Sequence, residues 1–244
     1  MTSNSTGAVT VHTAPVPSRR ASRWPARLDV AQSLTGLVLG LFVGFHLFLD
    51  SSILLGPEAV DFIARLFEGK GILDEPQPWI VTVFSLGILT LLVAHAALAM
   101  RKLPHDYHQL AIFRHHNATL RHTDTRLWWV QALTGFALFF LVAVHLFMPI
   151  TVPEDIGGLP SARRVVEDNA WALYIVLLPI VVAHAALGLY RLALKWGWPS
   201  FTIGAEGRRR LLLATLGVAA FYLVIDLAAL VAYLRIGLSL GGQP

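Results

Sequence analysis

The sequence predicts an all-α integral membrane protein. The expected architecture is a bundle of five transmembrane helices, two parallel two-helix repeats plus a fifth helix, with a cytoplasmic N-terminus. Three observations carry this. Of 244 residues, 55% are hydrophobic and 14% charged, which is membrane-protein composition. Five apolar runs reach the roughly 20 residues that a bilayer requires. Basic residues gather on alternate loops.

The elements follow in order. Residues 1–28 are polar and rich in Arg, Pro, Ser and Thr, with no apolar stretch. They read as a cytoplasmic segment rather than a signal peptide. The membrane domain is expected at 29–237, with spans near 30–56, 79–100, 128–150, 171–194 and 211–236. The first run is longer than a bilayer needs, which predicts a tilted or protruding helix. Residues 238–244 form a short outer tail.

Orientation comes from charge. The N-terminal segment, the 101–126 loop and the 191–210 stretch hold 14 of the 19 Lys and Arg residues, with only Asp29, Asp106, Asp124 and Glu206 as acids. The positive-inside rule places these segments in the cytoplasm. The net charge of +4 follows from the same loops and does not point to nucleic acid. No cysteine is present, which excludes iron–sulfur ligation and thiolate metal sites within this chain.

The repeat is explicit. QSLTGLVLGLFVGFHLF (32–48) and QALTGFALFFLVAVHLF (131–147) share nine of 17 positions, and VAHAAL occurs at 93–98 and at 182–187. Each two-helix unit therefore carries two histidines: His46 and His95, then His145 and His184. Counting about 1.5 Å per helical residue puts His95 and His184 in the cytoplasmic part of the membrane. The same count puts His46 and His145 near its outer surface. Four histidines form two layers about 15 Å apart.

Ionisable residues in a membrane are costly and usually functional. One zinc or copper ion cannot reach both layers, because its ligand bonds are only about 2 Å long. A flat macrocycle fits, with its iron held by one imidazole on each face. The pattern thus predicts two bis-histidine b haems, His95 with His184 and His46 with His145. Gly36 and Gly135 lie at the depth of the inner pair. There they would let a helix approach a large ring or serve ordinary helix packing. Lys195, Arg191, Gln32, Ser33 and Trp128 stand at heights suited to the inner haem's propionates, or to interfacial anchoring.

These residues lie in motifs that bring a family into view. QSLTGLVLGLF with His46, SSILLG (51–56), VAHAALAMRK with His95, RHTDTRLWWVQALTGFALFFLVAVHL with His145 and HAALGLYRLALKWGW from His184 cover nearly the whole chain. The chain resembles the single-chain dihaem cytochrome b subunit of succinate:quinone oxidoreductases, meaning quinol:fumarate reductase or menaquinone-linked succinate dehydrogenase. The resemblance implies the same histidine pairing. It also implies propionate contacts at Gln32, Ser33, Trp128 and Lys195.

As partners it implies a flavoprotein subunit and an iron–sulfur subunit on the cytoplasmic face, and menaquinone or another quinone as substrate. The setting is then a bacterial cytoplasmic membrane, and a higher oligomer of the complex is left open. The 101–126 loop, with His105, His108, His115, His116 and His122, is the expected docking surface, its histidines read as solvated interfacial groups ahead of the alternative of a metal site. Glu68, in RLFEGKG, matches a quinone-site glutamate of some family members. Its rival reading is a solvated surface acid. Asp226, inside the fifth span, is a second proton-transfer candidate, or else a hydrogen-bonded interhelical aspartate. Some members carry a proton-path glutamate two residues before the fourth-helix haem ligand; here that position is Val182.

Three other readings remain at this point. One is the dihaem cytochrome b of a formate dehydrogenase or hydrogenase. Another is a haem-free transporter with a histidine relay. The last is a purely structural anchor.

Overall fold

The computed structural model describes residues 22–104, 106–112, 123–197 and 204–241. Its principal helices are α1 (Trp24–Asp50), α2 (Pro57–Phe67), α3 (Trp79–Met100), α4 (Thr123–Thr151), α5 (Gly158–Glu167), α6 (Ala170–Trp196) and α7 (Gly204–Gly241). Among the described residues there is no β-strand, only an isolated bridge between Lys70 and Leu73. Helices α1, α3, α4, α6 and α7 are each long and apolar enough to cross a membrane. The predicted all-α, five-span class is therefore found.

Helix α1 starts at Trp24, six residues before the apolar run, with Pro25 in its first turn. Proline suits that position, since its missing N–H would have no helical partner there. Large apolar side chains such as Val38, Leu41 and Phe45 stay exposed along it, as expected for a surface that meets lipid rather than water. The α-helix ends at Asp50. Residues Ser51–Leu55 tighten into a 3-10 turn closed by Gly56 at φ 118°, a conformation that favours glycine. The surplus apolar length of the first run thus builds a corner.

Four spanning helices form a ring in which α1 packs on α3, α3 on α4, α4 on α6 and α6 back on α1. Diagonal partners, α1 with α4 and α3 with α6, are not among the closely packed pairs. Helix α7 lies outside this ring against α6 and α1. With 38 residues it is about 57 Å long and outreaches a hydrocarbon core of about 30 Å.

The short helices α2 and α5 are absent from the sequence reading, which treats both stretches as loops. They pack on each other, and α5 on α7. Ile53, Ala162, Val165, Ala229, Leu230 and Tyr233 make a buried cluster there. Gly157, at the start of α5, has no side chain to cap the helix. Asp61 of α2 supplies the oxygen instead, accepting from the Gly158 N–H at 2.7 Å; an uncapped helix N-terminus leaves such donors without partners.

At the N-terminal end of the bundle, Asp29 of α1 meets Arg101 and Lys102 at 3.0 Å each, and Lys195 of α6 at 4.0 Å. Three elements are tied at one carboxylate. Each partly exposed pair is worth only about 0–1 kcal/mol, so the network fixes register more than stability.

Candidate cofactor site

The histidines face one another across the ring. His46 on α1 and His145 on α4 stand on one diagonal, with ring centroids 6.0 Å apart. Two metal–nitrogen bonds of about 2 Å, plus about 1 Å from each nitrogen to its ring centre, also come to about 6 Å. The separation therefore fits one metal between two imidazoles. His46 stacks on Phe42 at 5.5 Å, and His145 meets Tyr174 edge-on at 5.7 Å. The His145 Nδ1 is buried without a hydrogen-bond partner.

His95 on α3 and His184 on α6 stand on the other diagonal and are electrostatic neighbours. Each is gripped by the helix before it. Thr35 Oγ1 lies 3.0 Å from His95 Nδ1, and Thr134 Oγ1 lies 3.1 Å from His184 Nδ1. The same contact occurs in both sequence copies. Among the described residues no three metal-ligating side chains converge, so the histidines offer ligands in pairs. Neutral imidazoles in pairs, on helices spaced apart by a diagonal, suit a haem iron.

The two glycines meet the inner histidines directly. A Cβ on Gly36 would stand 2.8 Å from His95 Cε1, and one on Gly135 would stand 2.8 Å from His184 Cε1. These glycines make room for the imidazoles. The match between repeats was legible in the sequence; its object was not.

The predicted propionate residues fall at the N-terminal end. Lys195 Nζ donates to Ser33 Oγ at 2.9 Å and to the Asp29 carbonyl at 3.2 Å. Gln32 Oε1, on the residue before Ser33, is buried without a partner. Arg191 donates to Gln131 Oε1 at 3.3 Å. Trp128 stacks edge-on against Trp129 at 5.2 Å. Ser33 and Lys195 thus meet, while Gln32 adds no contact to them and Trp128 stands on α4. The sequence reading missed Thr35, Thr134, Gln131 and the clasping role of Asp29. Their signal was the shared Gln-x-Leu-Thr-Gly, from which the threonines were not taken.

Glu68 ends α2. It is 8% exposed, so the solvated-acid reading does not describe it. Burial raises its carboxyl above the usual value, and the Arg65 guanidinium opposes that in part. A chain of rings leads from its neighbour to the outer histidine layer. Phe67 meets Phe84 at 6.0 Å, Phe84 meets Phe42 at 5.7 Å, and Phe42 stacks on His46. Asp226 is 2% exposed, and neither of its carboxylate oxygens has a hydrogen-bond partner. That departs from the hydrogen-bonded interhelical reading. Of the docking histidines, His108 is exposed; His105, His115, His116 and His122 lie outside the described residues.

Five apolar helices with paired imidazoles in their interior define an integral-membrane subunit of the electron-transport class. Residues 111–225 match the family described as succinate dehydrogenase/fumarate reductase transmembrane subunit. A fumarate reductase cytochrome b subunit of Helicobacter pylori is 47% identical over 213 residues, covering 87% of this chain and 82% of that protein. The fumarate reductase cytochrome b subunit of Wolinella succinogenes is 43% identical over 222 residues, covering 91% and 87%. The chain belongs to the succinate dehydrogenase/fumarate reductase transmembrane subunit family.

Proposed function

We propose that this chain is the dihaem cytochrome b subunit of a quinol:fumarate reductase or succinate:quinone oxidoreductase. The observation that carries the reading is the placing of histidines on both diagonals of one helical ring, with His46 and His145 at a spacing that suits one iron. His95 and His184 hold the haem nearer the cytoplasm, and His46 and His145 the outer one. Gln32, Ser33, Trp128 and Lys195 receive the propionates of the inner haem; the unpartnered Gln32 Oε1 supports a ligand at that place. Bound haem supplies one-electron transfer at each layer. The chain anchors a flavoprotein subunit and an iron–sulfur subunit at its basic face, in a bacterial cytoplasmic membrane. Purification should yield two reducible b haems per copy, with both partners. A preparation with no b-type spectrum overturns the reading in favour of a histidine relay.

The glycines give one test of the site. Gly36→Ala or Gly135→Ala pushes a methyl group into an imidazole whose Nδ1 is already held. Displacing a ligand's supporting shell costs about 10–100-fold in metal affinity. Haem content of the purified complex should fall from two towards one per chain, and the inner haem should be the one lost. Full retention of both haems would return these glycines to ordinary helix packing.

Val182 gives a second. Oxidising a quinol releases two protons and two electrons, and reducing fumarate to succinate takes up two of each. With quinol oxidised near the outer face, electrons cross inward while their protons leave outside. Charge separates unless protons follow the electrons. Val182 is apolar and 7% exposed, so it cannot pass protons. Turnover with a menaquinol analogue in oriented proteoliposomes should therefore build a potential, negative inside, seen with a voltage-sensitive dye. No response at a confirmed high rate would mean that protons do cross, and Asp226→Asn would then test the remaining buried carboxylate.

A further inference from the structure

Both inner-layer histidines sit in the same notch. On α1 the notch is Thr35-Gly36, and on α4 it is Thr134-Gly135. In each, the glycine leaves space for Cε1 and the threonine oxygen meets Nδ1. The hydrogen positions follow from counting donors. A threonine hydroxyl has one hydrogen. Thr35 spends it within α1, on the Ala31 carbonyl at 3.0 Å or the Gln32 carbonyl at 3.1 Å. Thr134 spends its own on the Val130 carbonyl at 2.7 Å or the Gln131 carbonyl at 3.1 Å. Towards the imidazole each threonine oxygen is then an acceptor.

The second partner agrees. The Gln131 carbonyl, which can only accept, lies 3.1 Å from His184 Nδ1, and the Gln32 carbonyl is the matching backbone partner of His95. Nδ1 therefore carries the proton in His184, and the matching Thr35 contact at Nδ1 assigns it there in His95. A neutral ring protonated at Nδ1 presents an unprotonated Nε2. The outer layer differs, since His145 Nδ1 has no partner.

We propose that Thr35 and Thr134 are positioning residues for the inner haem: they lock His95 and His184 in the Nδ1–H tautomer, aim Nε2 at the iron and strengthen both imidazoles as donors. This rests on the dihaem reading above. A hydrogen bond to the far nitrogen raises ligand basicity, and second-shell hydrogen bonding is one of the levers on haem potential. A stronger donor favours ferric iron, so the threonines hold the inner haem at a lower potential than the bare imidazoles would.

The test is a redox titration of the purified complex, with low-spin ferric resonance spectra alongside. Thr35→Val and Thr134→Val keep the branched shape and remove one oxygen each. Because the backbone carbonyls of Gln32 and Gln131 stay in reach, a shift is expected rather than loss. Each variant should raise the midpoint potential of one b haem, the one that His95→Ala or His184→Ala removes. The expected change is three- to tenfold in the ferric-to-ferrous ratio, about 30 to 60 mV for a one-electron centre. The resonance of that haem should move with it. Thr35→Ser and Thr134→Ser restore the oxygen and should match the parent chain. If a valine variant fails to assemble, Thr→Ala at the same position adds no atom and carries the same expectation. Unchanged potentials and resonances in variants that hold both haems overturn the proposal, as does an equal shift of both haems. A parent complex without two b haems would instead overturn the dihaem reading itself.

Discussion

His95→Ala and His184→Ala are each expected to remove one and the same b haem, and His46→Ala and His145→Ala the other. Haem content should fall from two to one per chain in all four variants, and quinol-linked turnover should be lost. Each haem would be held by one histidine from each repeat, so either deletion would take away half of its protein ligands. The geometry behind this is diagonal. His46 and His145 come from α1 and α4, with centroids 6.0 Å apart, while His95 and His184 come from α3 and α6. Helices adjacent in the ring also carry histidines, so pairing by neighbour, His46 with His95, is the rival arrangement. Redox titration of the four variants decides between them. If His46→Ala and His95→Ala abolish one common centre, the diagonal pairing is wrong.

What could be read before any coordinates divides along physical lines. Spanning helices announce themselves because a bilayer demands long apolar runs, and α3 begins and ends where its run does. Helices α4, α6 and α7 run past their apolar stretches, most clearly α7, while α1 begins before its run and stops short of its end. Hydropathy marks the lipid-facing length of a helix and not its end. The histidine layers were legible because rise per residue converts position into depth. Lateral contacts were not, since depth says nothing about which face a residue takes. So Thr-Gly was seen twice and its glycine left between a large ring and ordinary helix packing, while the nearest neighbour is an imidazole on the next helix. The helices α2 and α5 were missed because they are short and amphipathic, and their burial depends on Ala229, Leu230 and Tyr233 of α7, more than 60 residues on from the end of α5. Pro57 after Gly56 was the available signal for α2, a proline at a helix start. The burial of Glu68 depends on that missed helix, and for that reason a loop reading left it at the surface.

Glu68→Gln is expected to lower quinol oxidation by about 10²-fold or more, the scale on which a positioned proton acceptor contributes. Both haems should remain, and so should fumarate reduction by an artificial dye donor, which bypasses the quinone. Glu68 closes α2, is buried, and neighbours a run of rings that ends at His46. An acid in that place can take a proton from quinol as the electrons leave. The pH dependence carries a definite sign. Only the ionised carboxylate accepts a proton, and burial raises the value at which Glu68 ionises. Quinol oxidation should rise with pH along a limb displaced upward from the range of an exposed glutamate, about 4.3. Glutamine has no such group, so its residual rate should lack that limb. For folding, the same shift acts in the opposite direction. The native state binds this proton more tightly than the unfolded chain, so the contribution of Glu68 to stability is lost as pH rises through its native value. Steady-state quinol oxidation by the two complexes across pH, with the dye-linked rate as control, measures both effects. A glutamine variant with the parent's rate and the parent's acid limb would remove Glu68 from the quinone site and assign its burial to the packing of α2 alone.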